Sequence, residues 1–185
     1  RTAKPNGDMT CVKPTFLIGV PRVYDTIKKG VSDMLNDGAS KSTGGTIKLA
    51  LFEAAYEAKK QALADKCDTP LFNALVFKNV YQNLGGAVTL IVSGGAALNK
   101  ITNEWLRICV GAPVVQGYGL TECCAALTLQ AQVDEYKTGI VGGCAQCAEV
   151  KLVSVPEMGY FAKDQTGEIC VRGPQVSLGY YKQED

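Results

Sequence analysis

Residues 87–116 have the sequence AVTLIVSGGAALNKITNEWLRICVGAPVVQ, in which two apolar runs flank a segment of helical spacing. The first run, residues 87–92, is continuously apolar, which is typical of a strand buried on both faces of a parallel sheet. A turn at 93–97 follows it, and a second strand is predicted at 112–116. Helical spacing relates the apolar residues between them, Leu98, Ile101, Trp105 and Ile108. Strand, turn, helix and strand together predict a βαβ unit.

The segment before residue 87 predicts the rest of the α/β layer. The predicted elements are a strand at 16–20, helices at 23–35, 46–66 and 70–83, and a polar Gly-rich loop at 41–45. Pro21 stops the strand, and the abundance of Ala, Lys and Glu favours a helix at 46–66. Gly85 and Gly86 supply a left-handed cap for the last helix. A strand, several helices and a further strand extend the βαβ pattern toward the start of the chain.

Beyond residue 130 the sequence changes to short runs of alternating character. Residues 149–155 and 168–172 alternate apolar and polar side chains, with proline and glycine between the two runs. This pattern predicts antiparallel strands. We therefore predict an α/β fold in which βαβ units of a mostly parallel sheet occupy residues 1–130. A smaller antiparallel β region would occupy residues 131–185.

The carboxyl ends of the strands are where ligands bind in open α/β sheets. Residues 93–97 and 117–122 each follow a strand of the βαβ unit, so we expect these two segments to be neighbours in space. Residues 116–122, QGYGLTE, nearly match a dinucleotide-binding fingerprint, but Glu122 stands where the third glycine would lie. A carboxylate repels a bare phosphate. A divalent cation between them removes this conflict, since Mg²⁺ is commonly held by one or two carboxylates and substrate phosphates.

Three further residues of the same segment suit a bound nucleotide. The Thr121 hydroxyl can donate to a phosphate oxygen, Gly119 permits close approach of the backbone, and Tyr118 can lie flat against a purine. Together with Glu122 they predict a nucleotide and magnesium site without a Walker loop. The residue types alone favour a simpler interpretation, because short motifs often match by chance. In that interpretation Glu122 is a solvated or helix-capping carboxylate and Tyr118 is an ordinary core aromatic.

Composition excludes several classes of function. With 19 basic and 18 acidic residues the net charge is +1, so no nucleic-acid partner is expected. The apolar runs are shorter than the roughly 20 residues of a membrane span, which leaves peripheral membrane association open. The sequence contains no histidine, and this removes Ser-His-Asp and Cys-His catalysis by the residues of this chain. Any chemistry by this chain is expected to rest on carboxylates, hydroxyls and backbone amides, with or without a metal ion.

The eight cysteines lie mostly in apolar surroundings. This favours buried free thiols in an intracellular, reducing compartment, either the cytoplasm or the cytoplasmic face of a membrane. Cys144 and Cys147 form a C-x-x-C pair, but a structural zinc site needs four ligands and there is no second such pair. We interpret the pair as small residues of a Gly-rich turn, with a zinc site or a redox dithiol as the less favoured alternatives.

The sequence Y-G-x-T-E after a buried strand, with S-G-G-A one βαβ unit upstream, resembles the adenylate-forming superfamily, which includes acyl-CoA synthetases. Other segments resemble long-chain fatty acyl-CoA synthetases in particular, in the same order along the chain. These segments are residues 14–25, 155–160, 167–174 and 178–182. The resemblance extends from Lys13 to Lys182. It implies that the chain is part of the large N-terminal domain of such an enzyme.

The resemblance implies a two-step reaction. A fatty acid carboxylate attacks the α-phosphate of ATP to give an acyl-adenylate and pyrophosphate, and the thiol of coenzyme A then displaces AMP. It implies that Tyr118 stacks on adenine, Thr121 contacts phosphate and Glu122 holds Mg²⁺, which makes Thr121 and Glu122 the catalytic residues. The other implied nucleotide and acyl contacts are Gly94, Gly95, Ala96, Ala97, Gly117 and Gly119.

Two departures from the family pattern qualify what the resemblance implies. Ala97 replaces the proline usual in the S-G-G-A segment, so the turn is less rigid. The phosphate loop expected upstream, and the ribose-binding Asp, hinge and adenylation Lys expected downstream, are absent from this chain. We therefore expect a middle fragment that is inactive alone. A related ligase for aryl, short-chain or amino acids, and a non-catalytic nucleotide- or acyl-binding module, remain alternatives.

Overall fold

The computed structural model describes residues 7–65, 67–131 and 137–183. Its helices are α1 (Asp8–Val12), α2 (Pro21–Lys41), α3 (Thr43–Ala64), α4 (Pro70–Phe72), α5 (Lys78–Asn83) and α6 (Lys100–Val110), with a π-helical segment, Asn73–Phe77, between α4 and α5. Its strands are β1 (Phe16–Gly19), β2 (Leu90–Ser93), β3 (Val114–Tyr118), β4 (Thr128–Leu129), β5 (Gly143–Cys144), β6 (Glu149–Val153) and β7 (Glu168–Arg172). The predicted alternation of strands and helices is confirmed along the first half of the chain.

Strands β1 to β5 form one sheet in the order of their numbers. The first three strands are parallel, whereas β4 and β5 continue the sheet in antiparallel pairing. Strands β6 and β7 form a separate antiparallel pair. The α/β class, with a parallel sheet followed by a smaller antiparallel region, is thus confirmed. The proposed division at residue 130 falls between β4 and β5 of the same sheet and stays a prediction.

Helices α2, α3 and α6 pack in one core against one side of the parallel strands. Ile91 of β2 and Leu106 of α6 are fully buried in this core. Tyr24 of α2 is buried with them, and its hydroxyl donates to the carbonyl oxygen of Val92 over 2.7 Å. Burial raises the pKa of the Tyr24 phenol to about 12. A fully buried side chain such as Ile91 or Leu106 contributes about 1.5–3 kcal/mol to the free energy of folding.

The opposite side of the same strands is open. Phe16 is 49% exposed and Ile18 is 66% exposed, while Val92 beside them is half-buried. The prediction that the run 87–92 is buried on both faces is met on the helix side, where Ile91 is buried, but on the opposite side Leu90 and Val92 are only half-buried. Alternate side chains of a strand point to opposite faces, and the described helices cover one face alone.

The segment predicted as a loop at 41–45 is largely helical. Ser42 is the N-cap of α3, and its Oγ accepts a hydrogen bond from the backbone N–H of Gly45 over 3.1 Å. A Cβ at residue 45 would lie 1.8 Å from the carbonyl oxygen of Gly38, so glycine allows α2 and α3 to meet closely at this turn. Among the described helices, including the 22-residue α3, none combines the length and apolar character of a membrane span.

Helix α6 buries the predicted face except in its first turn. Trp105 and Ile108 are buried as expected, but Ile101 is 62% exposed. The first turn directs Thr102 toward α2 instead, where its hydroxyl donates to Asp25 over 2.6 Å. Apolar spacing predicted the helix correctly, whereas a polar pair between helices decides which side of its first turn faces the core.

Candidate functional site

A cavity of about 600 Å³ opens at the carboxyl ends of the parallel strands. This volume lies in the range of small-molecule sites. Six of the predicted site residues line it: Gly94, Gly95, Gly117, Tyr118, Gly119 and Thr121. A Cβ at residue 94 would lie 3.7 Å from the carbonyl oxygen of Gly117, which shows how closely the two strand ends approach. The predicted proximity of the segments 93–97 and 117–122 is confirmed.

Three predicted site residues do not line this cavity. Ala96 and Ala97 are exposed in the turn before α6, and Glu122 is exposed on a 3-10 turn, Thr121–Cys123. Within residues 7–65, 67–131 and 137–183, no group of three or more Cys, Asp and Glu side chains could hold a metal ion. Any cation at Glu122 would depend on oxygen ligands that the substrate or another part of the protein supplies. The roles predicted for all the site residues stay predictions.

Strand β3 begins and ends two residues later than the predicted strand at 112–116, so it carries two site residues, Gly117 and Tyr118, within it. Gly117 pairs with Leu129 and Tyr118 pairs with Thr128 of β4. The Thr128 hydroxyl also accepts a hydrogen bond from the backbone N–H of Tyr118 over 3.3 Å. The half-buried Tyr118 ring therefore projects from a hydrogen-bonded strand, and this holds it more firmly than the predicted loop would.

The turn after β3 is tightly folded. A Cβ at residue 119 would lie 1.4 Å from the carbonyl oxygen of Ala125, so only glycine fits at Gly119 without a backbone shift. Cys124 and Ala125 have positive φ angles of 51° and 88°. The backbone N–H groups of Cys123 and Ala125 both donate to the carbonyl oxygen of Leu120. Non-glycine residues in such conformations are strained and concentrate at functional sites.

Gln116 holds the two strand ends together, a role that the sequence analysis missed. This buried side chain accepts a hydrogen bond through Oε1 from the backbone N–H of Leu98 over 3.0 Å. Its backbone N–H donates to Gln130 Oε1 over 3.2 Å. The sequence did contain a signal for this role, because Gln116 is a polar residue at the end of an apolar strand. A buried amide side chain requires hydrogen-bond partners.

The hydroxyl of Ser93 is a second buried polar group at this edge. Ser93 lines the cavity and is 1% exposed, and its Oγ has no hydrogen-bond partner among the described residues. Buried polar atoms are normally satisfied by protein, water or ligand. The Ser93 hydroxyl is therefore a donor and acceptor that the cavity offers to a bound molecule.

Glu122 is held by residues far along the chain. The Tyr180 hydroxyl donates to Glu122 Oε1 over 2.6 Å, and the backbone N–H of Ser177 donates to the Glu122 carbonyl oxygen over 2.7 Å. The hydrogen bond from Tyr180 lowers the pKa of the Glu122 carboxyl, and the same bond raises the pKa of the Tyr180 phenol. No sequence pattern indicated this contact, because the two residues are separated by 58 positions.

Two Arabidopsis thaliana proteins resemble the chain over nearly its full length. It is 42% identical over 181 residues to long chain acyl-CoA synthetase 6, peroxisomal, and 40% identical over 182 residues to long chain acyl-CoA synthetase 7, peroxisomal. Each alignment covers 96% of this chain and 25% of the relative. The chain thus spans about a quarter of the length of these relatives.

The fold has a counterpart among solved structures. The adenylation domain of a carboxylate reductase from Mycobacterium chelonae superimposes with a TM-score of 0.57 at 23% identity, covering 95% of this chain and 23% of that one. The model of the family described as AMP-binding enzyme matches residues 2–181. Because this match extends over almost the whole chain, the chain belongs to the AMP-binding enzyme family.

Proposed function

We propose that the complete protein containing this chain activates a long-chain fatty acid with ATP and transfers the acyl group to coenzyme A. The observation that carries the proposal is the convergence of the Ser93–Gly95 turn and the Tyr118–Thr121 segment on one cavity. The names of the relatives, which are long chain acyl-CoA synthetases at 40% identity and above, support the choice of acid.

The chain's own residues suit the nucleotide. The Tyr118 ring offers a flat surface for adenine at the wall of the cavity, and the Thr121 hydroxyl can donate to a phosphate oxygen. Gly94, Gly95 and Gly119 leave the backbone uncovered, so its N–H groups can approach the ligand closely. Attack at phosphorus is catalysed mainly by positioning and charge neutralisation, which does not require a histidine base.

The Glu122 carboxylate suits a divalent cation. It is exposed, its lowered pKa keeps it ionised at neutral pH, and one of its oxygens engages Tyr180 while the other can face a metal. Mg²⁺ typically uses one or two carboxylates and completes its shell with substrate phosphates and water. When bound, it would neutralise charge on the phosphates.

The apolar part of the cavity suits an acyl chain. Ile18, Val92 and Leu129 line it on the open side of the sheet, and Gly117 borders them without a side chain. Exposed apolar surface next to polar groups is typical of a site for a ligand that has an apolar part and a polar part. A fatty acid has this character, with its carboxylate placed toward the nucleotide end.

A reducing, intracellular compartment is proposed for the complete protein. None of the eight cysteines, which all lie in the described residues, forms a disulfide bond, and six of them are exposed, so the predicted burial of the thiols is wrong for these six. Exposed thiols persist where the glutathione and thioredoxin systems keep them reduced. The test is thiol titration of protein denatured without reductant immediately after cell lysis, with eight reactive thiols expected from this segment; fewer would indicate disulfides.

The function is tested by acid-dependent exchange of labelled pyrophosphate into ATP in the complete protein. Palmitate, benzoate, acetate and a set of amino acids are compared at equal concentration. Exchange stimulated chiefly by palmitate is expected. Preference for benzoate, acetate or an amino acid would favour a related ligase. No exchange with any acid, from protein shown to be folded, would favour the non-catalytic binding module.

A further inference from the structure

The segment comprising residues 173–183 folds back onto the turn that carries Glu122. The backbone N–H of Ser177 donates to the Glu122 carbonyl oxygen over 2.7 Å. The hydroxyl of Tyr180 donates to Glu122 Oε1 over 2.6 Å. The same segment therefore engages both the main chain and the side chain of one residue, across a gap of 58 positions.

The two hydrogen bonds have separable effects. The bond from Ser177 involves backbone atoms alone, so it docks the segment whatever side chain stands at 180. The bond from Tyr180 acts on the carboxylate. Its length of 2.6 Å is typical of a charge-assisted O–H···O⁻ hydrogen bond, which is stronger than a bond between neutral groups.

Without this bond the Glu122 side chain would move freely. The residue is exposed, and a glutamate in water samples several rotamers about its rotatable bonds. The hydrogen bond from the Tyr180 hydroxyl to Oε1 selects one orientation of the Glu122 carboxylate. The second carboxylate oxygen, Oε2, is then available to another partner. The strained, tightly bonded turn beneath it, with Cys124 and Ala125 at positive φ, fixes the backbone in the same way.

We propose that Tyr180 is a positioning residue that orients the Glu122 carboxylate toward the divalent cation. The inference rests on the proposed function, in which Glu122 holds that cation. Carboxylates that bind metals are commonly hydrogen-bonded by an outer group, and loss of that group weakens metal affinity by about 10- to 100-fold. Tyr180 supplies this outer hydrogen bond from the segment 173–183.

The test compares Tyr180→Phe with the wild-type complete protein. The substitution keeps the ring and the Ser177 bond and removes the hydroxyl alone. Two quantities are measured: the affinity of the ATP-saturated protein for Mn²⁺ by electron paramagnetic resonance, and the free Mg²⁺ concentration that half-saturates palmitate-dependent pyrophosphate exchange. We expect the Mn²⁺ affinity to fall about tenfold and the half-saturating Mg²⁺ concentration to rise about tenfold. The exchange rate at saturating Mg²⁺ should return close to that of wild type.

Tyr181→Phe is the matched control. Tyr181 is the adjacent tyrosine, is 89% exposed, and its hydroxyl makes no hydrogen bond among the described residues. This variant should leave both metal measurements unchanged. The melting temperature of each variant is recorded as well. A lower melting temperature for Tyr180→Phe with unchanged Mn²⁺ affinity would mean that the bond merely holds the segment in place, and would overturn the inference.

Glu122→Gln separates failure of this inference from failure of the proposed function. If Glu122→Gln weakens Mn²⁺ binding and Tyr180→Phe does not, the inference is wrong and the metal assignment stands. If Glu122→Gln has no effect on Mn²⁺ binding, both the metal assignment and the inference are wrong. If wild type shows no exchange with any acid yet Tyr180→Phe still weakens Mn²⁺ binding, the proposed activity is wrong while the positioning role holds.

Discussion

The two sides of the parallel strands differ sharply in what covers them. On the helix side Ile91 is fully buried under α2, α3 and α6, whereas on the cavity side Ile18 of the neighbouring strand is 66% exposed. The first side contributes the buried apolar area that stabilises the fold. The second side and the strand ends leave backbone and apolar surface accessible to a ligand. Substitutions on the two sides should therefore separate stability from ligand binding.

The largest expected effect is on the helix side. Leu106→Ala removes a side chain that is fully buried in α6. We expect a loss of about 2–5 kcal/mol in the free energy of unfolding, because a cavity is left where packing cannot collapse fully. Urea denaturation of the complete protein measures it. Leu178→Ala, at a fully exposed leucine, is the matched control and should change stability by less than about 0.5 kcal/mol. Similar losses for both variants would mean that the helix side is not the stabilising side.

At the strand ends, Gly119→Ala tests whether the tight turn serves chemistry. Its Cβ would clash with the carbonyl oxygen of Ala125, so the backbone carrying Thr121 must shift. A displacement of about 1 Å can reduce a catalysed rate about 100-fold, and we expect a loss of that order in pyrophosphate exchange. Gly143→Ala is the control, since a Cβ there meets nothing within 4 Å. If Gly119→Ala retained full exchange, the turn would not position the reacting groups.

Tyr118→Ala tests the wall of the cavity. Loss of stacking on adenine should weaken ATP binding by about 1–3 kcal/mol, by analogy with bases stacked on aromatic side chains. Tyr118→Phe keeps the ring and should bind ATP nearly as the wild type does. Calorimetric titration of ATP into each variant measures the difference. If Tyr118→Ala bound ATP with unchanged affinity, the proposal that adenine stacks on Tyr118 would be wrong.

The smallest expected effect is on the pH dependence of stability and concerns Lys59, a buried residue on the helix side. Its ammonium group donates to Asn73 and lies near Cys109, and burial lowers its pKa from 10.5. Between the folded and unfolded pKa values the unfolded chain binds more protons, so Lys59 makes stability rise as pH increases through that window. The Cys109 thiol, with its pKa raised to about 12 by burial, stays neutral in the folded state there.

Urea denaturation of wild type and Lys59→Met at several pH values up to 10.5, the ordinary pKa of lysine, measures this contribution. Both proteins also carry Cys109→Ala, because the Lys59 charge lowers the pKa of the Cys109 thiol, and the difference between their stabilities then isolates Lys59. We expect the free energy of unfolding of Lys59→Met, relative to that of wild type, to fall as pH rises, because wild type gains stability over this range. A difference that is constant with pH would show that Lys59 titrates alike in the folded and unfolded states.

The sequence predicted the α/β class because apolar runs and helical spacing are local properties. The strand at 16–20, the helix containing Trp105 and the alternating run at 168–172 all appear close to their predicted positions. The convergence of the two site segments also followed, since the ends of adjacent parallel strands meet at one edge.

What the sequence could not predict depends on contacts between distant residues. The exposure of Ile101 follows from a hydrogen bond between Thr102 and Asp25, two residues on different helices. The link between Tyr180 and Glu122 joins segments without any shared periodicity. Such polar pairs depend on tertiary geometry, so residue spacing carries no signal for them.

The central claim, that the segment from Tyr118 to Glu122 serves the nucleotide and its cation, is tested most directly by Glu122→Ala in the complete protein. Pyrophosphate exchange with palmitate and equilibrium binding of palmitate are measured on the same preparation. The account predicts that exchange falls sharply while palmitate affinity stays nearly unchanged, because the carboxylate acts on phosphate charge and not on the acyl chain. Equal losses of exchange and palmitate affinity would contradict the account and would assign Glu122 a structural role.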